Sequence, residues 1–237
     1  MKPILILKMG QTIPDLVERK GDFEDWIARP FVRRGLPVEV LSPNAGTPLP
    51  QPNAFAGILI SGSHAMVTDR ASWSEHTAEW IPEIVFERVP LLGICYGHQL
   101  IAHALGGMVG QSPGGMEIGT INLHLTNAAT DDLLFGDLPV SFSAHVSHFQ
   151  SVVELPPKAK RLAFSAVEAH HAFCVGSCAW GVQFHPEFDV DIMKAYIHAF
   201  DEMMHDHGQR PEKAIAAVTE TPRSREILDR FADIVLK

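Results

Sequence analysis

Apolar and polar positions follow two different rhythms along this chain. In the first half, short apolar runs at Ile4–Leu7, Pro37–Leu41, Phe55–Ile60 and Leu91–Ile94 predict buried strands. Helical spacing appears between them. Asp22 can cap a helix carrying Phe23, Trp26 and Ile27 that ends near Gly35. Trp73, Thr77, Trp80, Ile81, Ile84 and Val85 form a second stripe, and Pro82 within it predicts a kink or break. Tyr96–Leu105 forms a third, stopped by Gly106-Gly107. Alternating strands and helices of this kind predict an α/β fold, with a parallel sheet covered on both faces.

After the third helix the rhythm shortens. Ile118–Leu125, Val140–His148, Leu162–Ala166, Ala172–Val175 and Ala179–Phe184 are closely spaced apolar segments with turn residues between them. They predict an antiparallel extension, with Gly176-Ser177 closing one hairpin. From Asp189 the pattern is helical again, with stripes at Ile192, Tyr196, Ile197 and Phe200 and then at Ile227, Leu228, Phe231 and Val235. No repeat or low-complexity linker divides the 237 residues, so a single domain spanning 1–237 is expected.

Composition narrows the function classes. Lys and Arg number 19 against 28 Asp and Glu, a formal charge of −9 that disfavours binding nucleic acid through a basic face. No apolar run approaches the roughly 18 residues needed to cross a bilayer, and Ile4–Leu7 is too short for a secretory signal core. Three cysteines, Cys95, Cys174 and Cys178, make a disulfide framework improbable and suit a reducing cytoplasm. His170, His171, Cys174 and Cys178 are a conceivable metal set. Their Cys-x₃-Cys spacing brackets the predicted hairpin turn, however, so buried thiols are expected instead, and no metal or cofactor.

The chemistry concentrates in three segments. Cys95 lies between Gly93 and Gly97 at the junction of an apolar strand and a helix, the thiol counterpart of a Gly-x-Ser-x-Gly elbow. Such a turn lifts the sulfur to the carboxyl edge of the sheet, beside the free N–H groups of a helix start, which favour a thiolate. The second segment, Trp180-Gly181-Val182-Gln183-Phe184, runs out into His185-Pro186-Glu187, where proline ends the strand and leaves an imidazole at its tip. Glu187 can return to the same side and hold one tautomer of His185. The third, Ile58–Ile60, ends in Ser61-Gly62-Ser63, a small-residue turn whose N–H groups could meet an oxyanion together with that of Tyr96.

Together these segments resemble the class I, or triad, glutamine amidotransferases, and most closely the stand-alone members similar to the amidotransferase domain of GMP synthase. The likeness covers about residues 55–190 and includes Gly93-Ile94-Cys95-Tyr96-Gly97-His98-Gln99, Glu117-Ile118-Gly119, the His148 to Pro156 segment and Gly181 to Glu187. It implies an open, mostly parallel, flavodoxin-like sheet between helices in three layers. It implies Cys95 as nucleophile, His185 as base then acid, Glu187 as its orienter, Gly62 and Tyr96 as oxyanion donors, and Gln99 and His148 at the substrate. Two departures stand out. Many relatives carry His-x-Asp where this chain has His148-Phe149-Gln150, and Ser61-Gly62-Ser63-His64 replaces a Gly-Gly-Pro form. The second departure is similar to a branch that includes γ-glutamyl peptidases.

The implied activity is hydrolysis of the glutamine γ-amide, with ammonia passed to an unidentified synthase or synthetase, since the chain carries no nucleotide-binding motif of its own. A γ-glutamyl peptidase without a partner is the alternative. A non-catalytic regulatory subunit is a third reading, opposed by the intact Cys95, His185 and Glu187.

Overall fold

The computed structural model describes residues 1–237. The first half alternates as its pattern predicts: β1 (Ile4–Leu7), α1 (Pro14–Lys20), α2 (Phe23–Arg33), β2 (Val38–Leu41), β3 (Gly57–Ile60), α3 (Ser72–Phe86), β4 (Leu91–Ile94) and α4 (Tyr96–Ala104). Then come β5 (Met108–Gln111), β6 (Glu117–Leu125), β7 (Ser141–His148), β8 (Gln150–Glu154), β9 (Lys160–Phe164), β10 (Ala172–Val175) and β11 (Ala179–Val182). The chain closes with α5 (Val190–Ala199), α6 (Asp201–Asp206), α7 (Pro211–Ala216) and α8 (Pro222–Val235).

Nine strands form one sheet in the order β2-β1-β3-β4-β11-β10-β9-β6-β7. The ladders from β2 to β11 are parallel, and those from β11 to β7 are antiparallel. The parallel sheet with an antiparallel extension is therefore present, and β11 is the strand at which the two halves meet. A separate ribbon pairs β5 with β8.

Alternation along the central strands explains the layers. Ile4, Ile6, Leu59, Leu92, Ile94, Trp180 and Val182 face one core, completed by Trp26, Phe31, Ile192, Ile197 and Phe231 from α2, α5 and α8. Leu5, Leu7, Ile58, Ile60 and Leu91 face the other, against Ile81, Ile84, Leu100 and Ile101 from α3 and α4. Burying each such side chain contributes roughly 1.5–3 kcal/mol, which ties the strand ends to both helical layers.

The structure departs from the sequence pattern in a few places. Helix α3 runs through Pro82 without a break, and Pro82 lies on its exposed face. Helix α1 and strands β5 and β8 carry too little periodicity to stand out. Asp22 caps α2 as expected, and does more: its carboxylate also accepts from Thr12 N and pairs with Lys8 at 2.7 Å.

Candidate active site

The backbone alone sets Cys95. It occupies the N-cap of α4 at φ 50° and ψ −98°, a left-handed conformation that side chains rarely adopt and that typically costs about 1–3 kcal/mol. The two glycines make the turn possible. A side chain at Gly93 would strike the Gly97 carbonyl, and one at Gly97 would strike the Ile60 carbonyl of β3. Strand β4 pairs with β11 up to Ile94 and Val182, and Cys95 N donates to Val182 O at 2.8 Å. The cysteine thus leaves the sheet beside the strand that leads to His185.

Side chains set His185. Its Nδ1–H donates to Glu187 Oε1 at 2.8 Å, since a carboxylate can only accept. Its ring stacks on Phe188 at 4.0 Å between centroids and, more distantly, on Phe23 at 6.3 Å. Its backbone N–H donates to His145 O at 2.8 Å, tying the tip to β7. Both His185 and Glu187 are buried. Burial opposes an imidazolium here, but the Glu187 carboxylate, which accepts from Nδ1–H, and the neighbouring Cys95 sulfur outweigh it and raise the pKa of His185. The Cys95 thiol lies 3.7 Å from the Ser147 carbonyl, on the same pocket wall.

Gly62 packs against the imidazole so closely that a side chain there would come within 3.2 Å of His185 Cε1. The N–H groups of Gly62 and Tyr96 donate to no protein acceptor. Two unengaged donors therefore flank the Cys95–His185 pair.

A cavity of about 180 Å³ opens over these groups. Cys95, Tyr96, Gln99, His148 and His185 all line it, while Gly62 and Glu187, also singled out in the sequence, stand behind the imidazole and do not. Gln99 and His148 are already engaged, however. Gln99 Nε2 donates to Gln150 O at 2.8 Å and to Gln183 Oε1 at 3.0 Å, while His148 spans Gln150 O at 3.1 Å and Glu117 Oε2 at 3.0 Å. Gln150, at the position where many relatives carry a carboxylate, lines the cavity with its own Oε1 buried and unpartnered. The rest of the wall is largely apolar, including Phe149, Tyr196, Phe200 and Met203, and no Asp, Glu, Lys or Arg lines the cavity.

Of the other residues weighed in the sequence, His98 is fully buried against Phe173, and burial pulls its pKa down to about 3, so it stays neutral. Cys174 and Cys178 are buried free thiols flanking the hairpin turn, both with pKa values raised by burial. The sequence pattern does not show the aromatic packing of Phe23 and Phe188 against His185. A signal was present, since Phe188 directly follows His185-Pro186-Glu187, but Phe23 comes from the far end of the chain.

Comparison with known proteins gives a family and a fold. A family model described as "Glutamine amidotransferase class-I" matches residues 16–202. GMP synthase [glutamine-hydrolyzing] of Aeropyrum pernix is 32% identical over 176 residues, 73% of this chain but only 32% of that protein. Gamma-glutamyl peptidase 4 of Arabidopsis thaliana is 31% identical over 141 residues, 59% of this chain and 56% of that protein. The chain thus spans about a third of the synthase and somewhat over half of the peptidase. A glutamine amidotransferase from Thermotoga maritima shares the fold at a TM-score of 0.75 and 20% identity, covering 99% of this chain and 96% of that one.

Proposed function

The chain belongs to the class I glutamine amidotransferases, and from that premise we propose that it cleaves γ-glutamyl amides by acyl transfer through Cys95. One observation carries the reading. A cysteine held in a strained strand–helix turn shares a pocket with a buried imidazole that Glu187 holds at 2.8 Å. His185 takes the thiol proton, and the sulfur attacks the γ-carbonyl carbon. The carbonyl π electrons move to oxygen, where the N–H groups of Gly62 and Tyr96 receive the negative charge; one such donor is worth about 2.7–4 kcal/mol in comparable acyl transfer. Collapse of the tetrahedral species breaks the C–N bond, and the His185 proton goes to the leaving nitrogen. A water then gives a proton to His185 and attacks the thioester carbon; the C–S bond breaks and the His185 proton returns to the sulfur, releasing glutamate and the free thiol. Glu187 keeps the imidazole in one tautomer and balances the imidazolium in each half-reaction.

With glutamine as substrate the leaving group is ammonia, and an ammonia-accepting synthase or synthetase is the natural partner. The wall of Phe149, Tyr196, Phe200 and Met203, without a charged side chain, supports a second reading in which the leaving group is the amine of a γ-glutamyl peptide. In either case we read residues 1–237 as one domain, because Phe231 and Val235 of α8 pack against β3 at Gly57. No helix is long and apolar enough to cross a membrane.

A substrate panel tests the proposal. Purified protein should release glutamate from glutamine or from γ-glutamyl dipeptides, and Cys95→Ala should release none. Preference for glutamine supports the first reading, and preference for dipeptides with apolar second residues supports the second. Turnover by Cys95→Ala close to wild type would refute both.

A further inference from the structure

Behind the pocket wall, three side chains from separate strands converge. Glu117 at the start of β6 sits opposite His148 at the end of β7 in the antiparallel ladder, and His171 enters from the residue preceding β10. Their ligating atoms all lie within 4.8 Å of one another. Glu117 Oε2 is 3.0 Å from His148 Nε2 and 3.2 Å from His171 Nε2. The His171 side chain is fully buried, that of His148 is 1% exposed and that of Glu117 is 11% exposed, so the two imidazoles are shielded from solvent and only the carboxylate has an edge toward it.

The hydrogen bonding is incomplete in a telling way. His148 Nδ1 lies 3.1 Å from the Gln150 carbonyl, which can only accept, so Nδ1 carries the ring proton. A neutral His148 then presents the lone pair of Nε2 to a carboxylate oxygen 3.0 Å away, and two such electron pairs repel unless a positive charge lies between them. An imidazole fixed at one nitrogen by a backbone carbonyl, with the other turned inward, is the usual disposition of a metal-binding histidine. His171 adds a second, independent sign. Its Nε2 stands 3.2 Å from the same oxygen without an aligned hydrogen bond, and neither ring nitrogen has any other partner. A proton on His148 would settle one contact but leave His171 without an aligned partner in a buried site, which is costly.

We propose that Glu117, His148 and His171 form a binding site for a zinc-class divalent cation. Two imidazoles and one carboxylate suit Zn²⁺, Co²⁺ or Fe²⁺, whereas Mg²⁺ and Ca²⁺ prefer all-oxygen shells. The cation would engage the inward lone pairs of both rings and neutralise the carboxylate between them. Because His148 also lines the substrate cavity, an ion here fixes that wall in place. The cysteines weighed in the sequence as metal ligands play no part in it.

The test is metal retention, independent of catalysis. Full-length protein is stripped with chelator, equilibrated with Zn²⁺ alone, desalted and counted by mass spectrometry of the metal; Co²⁺ loading gives a visible absorption band as a second readout. About one Zn²⁺ per chain should be retained by the wild type and by Cys95→Ala, and zinc should raise the Tm of both. His171→Gln, which can still hydrogen-bond Glu117, should bind at least tenfold more weakly and lose the Tm response. If His171→Gln fails to fold, Glu117→Gln serves for the same comparison. Retention of no zinc, equal retention by the folded variant, or loss in Cys95→Ala would each overturn the proposal, the last because it would place the ion on the thiol.

Discussion

The two ends of the proposed nucleophile–base pair are built by opposite means. Cys95 is held by its own backbone: a left-handed φ, glycines two residues to either side, and a helix that begins at the next residue. His185 stands just beyond the end of β11 and is held by groups from all over the chain. Phe188 stacks on the ring and Phe23 packs beside it, Glu187 takes Nδ1, and His145 O receives its N–H. The difference teaches where precision comes from. The nucleophile cannot move without unravelling a turn, whereas the base keeps its place only while the surrounding core stays packed.

That contrast can be broken from either end. Cys95→Ala should lower kcat by about 10⁴-fold or more, the scale on which triad members act, while circular dichroism and Tm stay close to wild type. Cys95→Gly should be equally inactive yet more stable by about 1 kcal/mol, because glycine relieves the left-handed strain. A Gly variant with unchanged or lower Tm would mean that the turn stores no strain.

Glu187→Gln attacks the other end. It should lower kcat by about 10³-fold, since an amide can impose the wrong tautomer on His185. The sign of its pH effect follows from the cause of the shift. Glu187 raises the pKa of His185, so removing its charge lets the pKa fall, and the limb of the kcat/KM profile that reports His185 should move to lower pH. An unmoved limb would show that Glu187 does not set the charge of the imidazole.

Smaller effects sharpen the comparison. Gly97→Ala must push its new methyl into the Ile60 carbonyl, and should lose about 1–3 kcal/mol of stability in denaturant melts. Phe188→Leu keeps an apolar side chain but removes the ring stacked on His185. It should cost up to about 1.5 kcal/mol of stability and lower kcat by about tenfold, with KM little changed. If Phe188→Leu proved as harmful to kcat as Glu187→Gln, packing would outweigh the carboxylate in fixing the base.

The same contrast explains how much could be read from the sequence. The turn at Cys95 was legible because its requirements are local: an apolar strand, a glycine on each side and an immediate helix. The His185-Pro186-Glu187 tip was legible for the same reason, but its pairing with Cys95 came from the family resemblance, because the adjacency of β4 and β11 is a matter of strand order that no local pattern encodes. The alternating strands and the switch to hairpins after α4 were also readable from periodicity. Strand β8 was not, because only Phe149 separates it from β7 and no turn residue marks the break. Helix α1 escaped notice because Leu16 is its single buried residue. The Glu117–His148–His171 cluster and the packing of Phe23 beside His185 depend on register and packing between distant segments, which no local pattern encodes.

The most direct measurement of the central claim is the mass of the protein caught during turnover. Wild-type protein quenched in acid while consuming its γ-glutamyl substrate should carry one γ-glutamyl group, and peptide mapping should place it on the sulfur of Cys95. Steady turnover with no such adduct, or an adduct on any other residue, would contradict the acyl-transfer account.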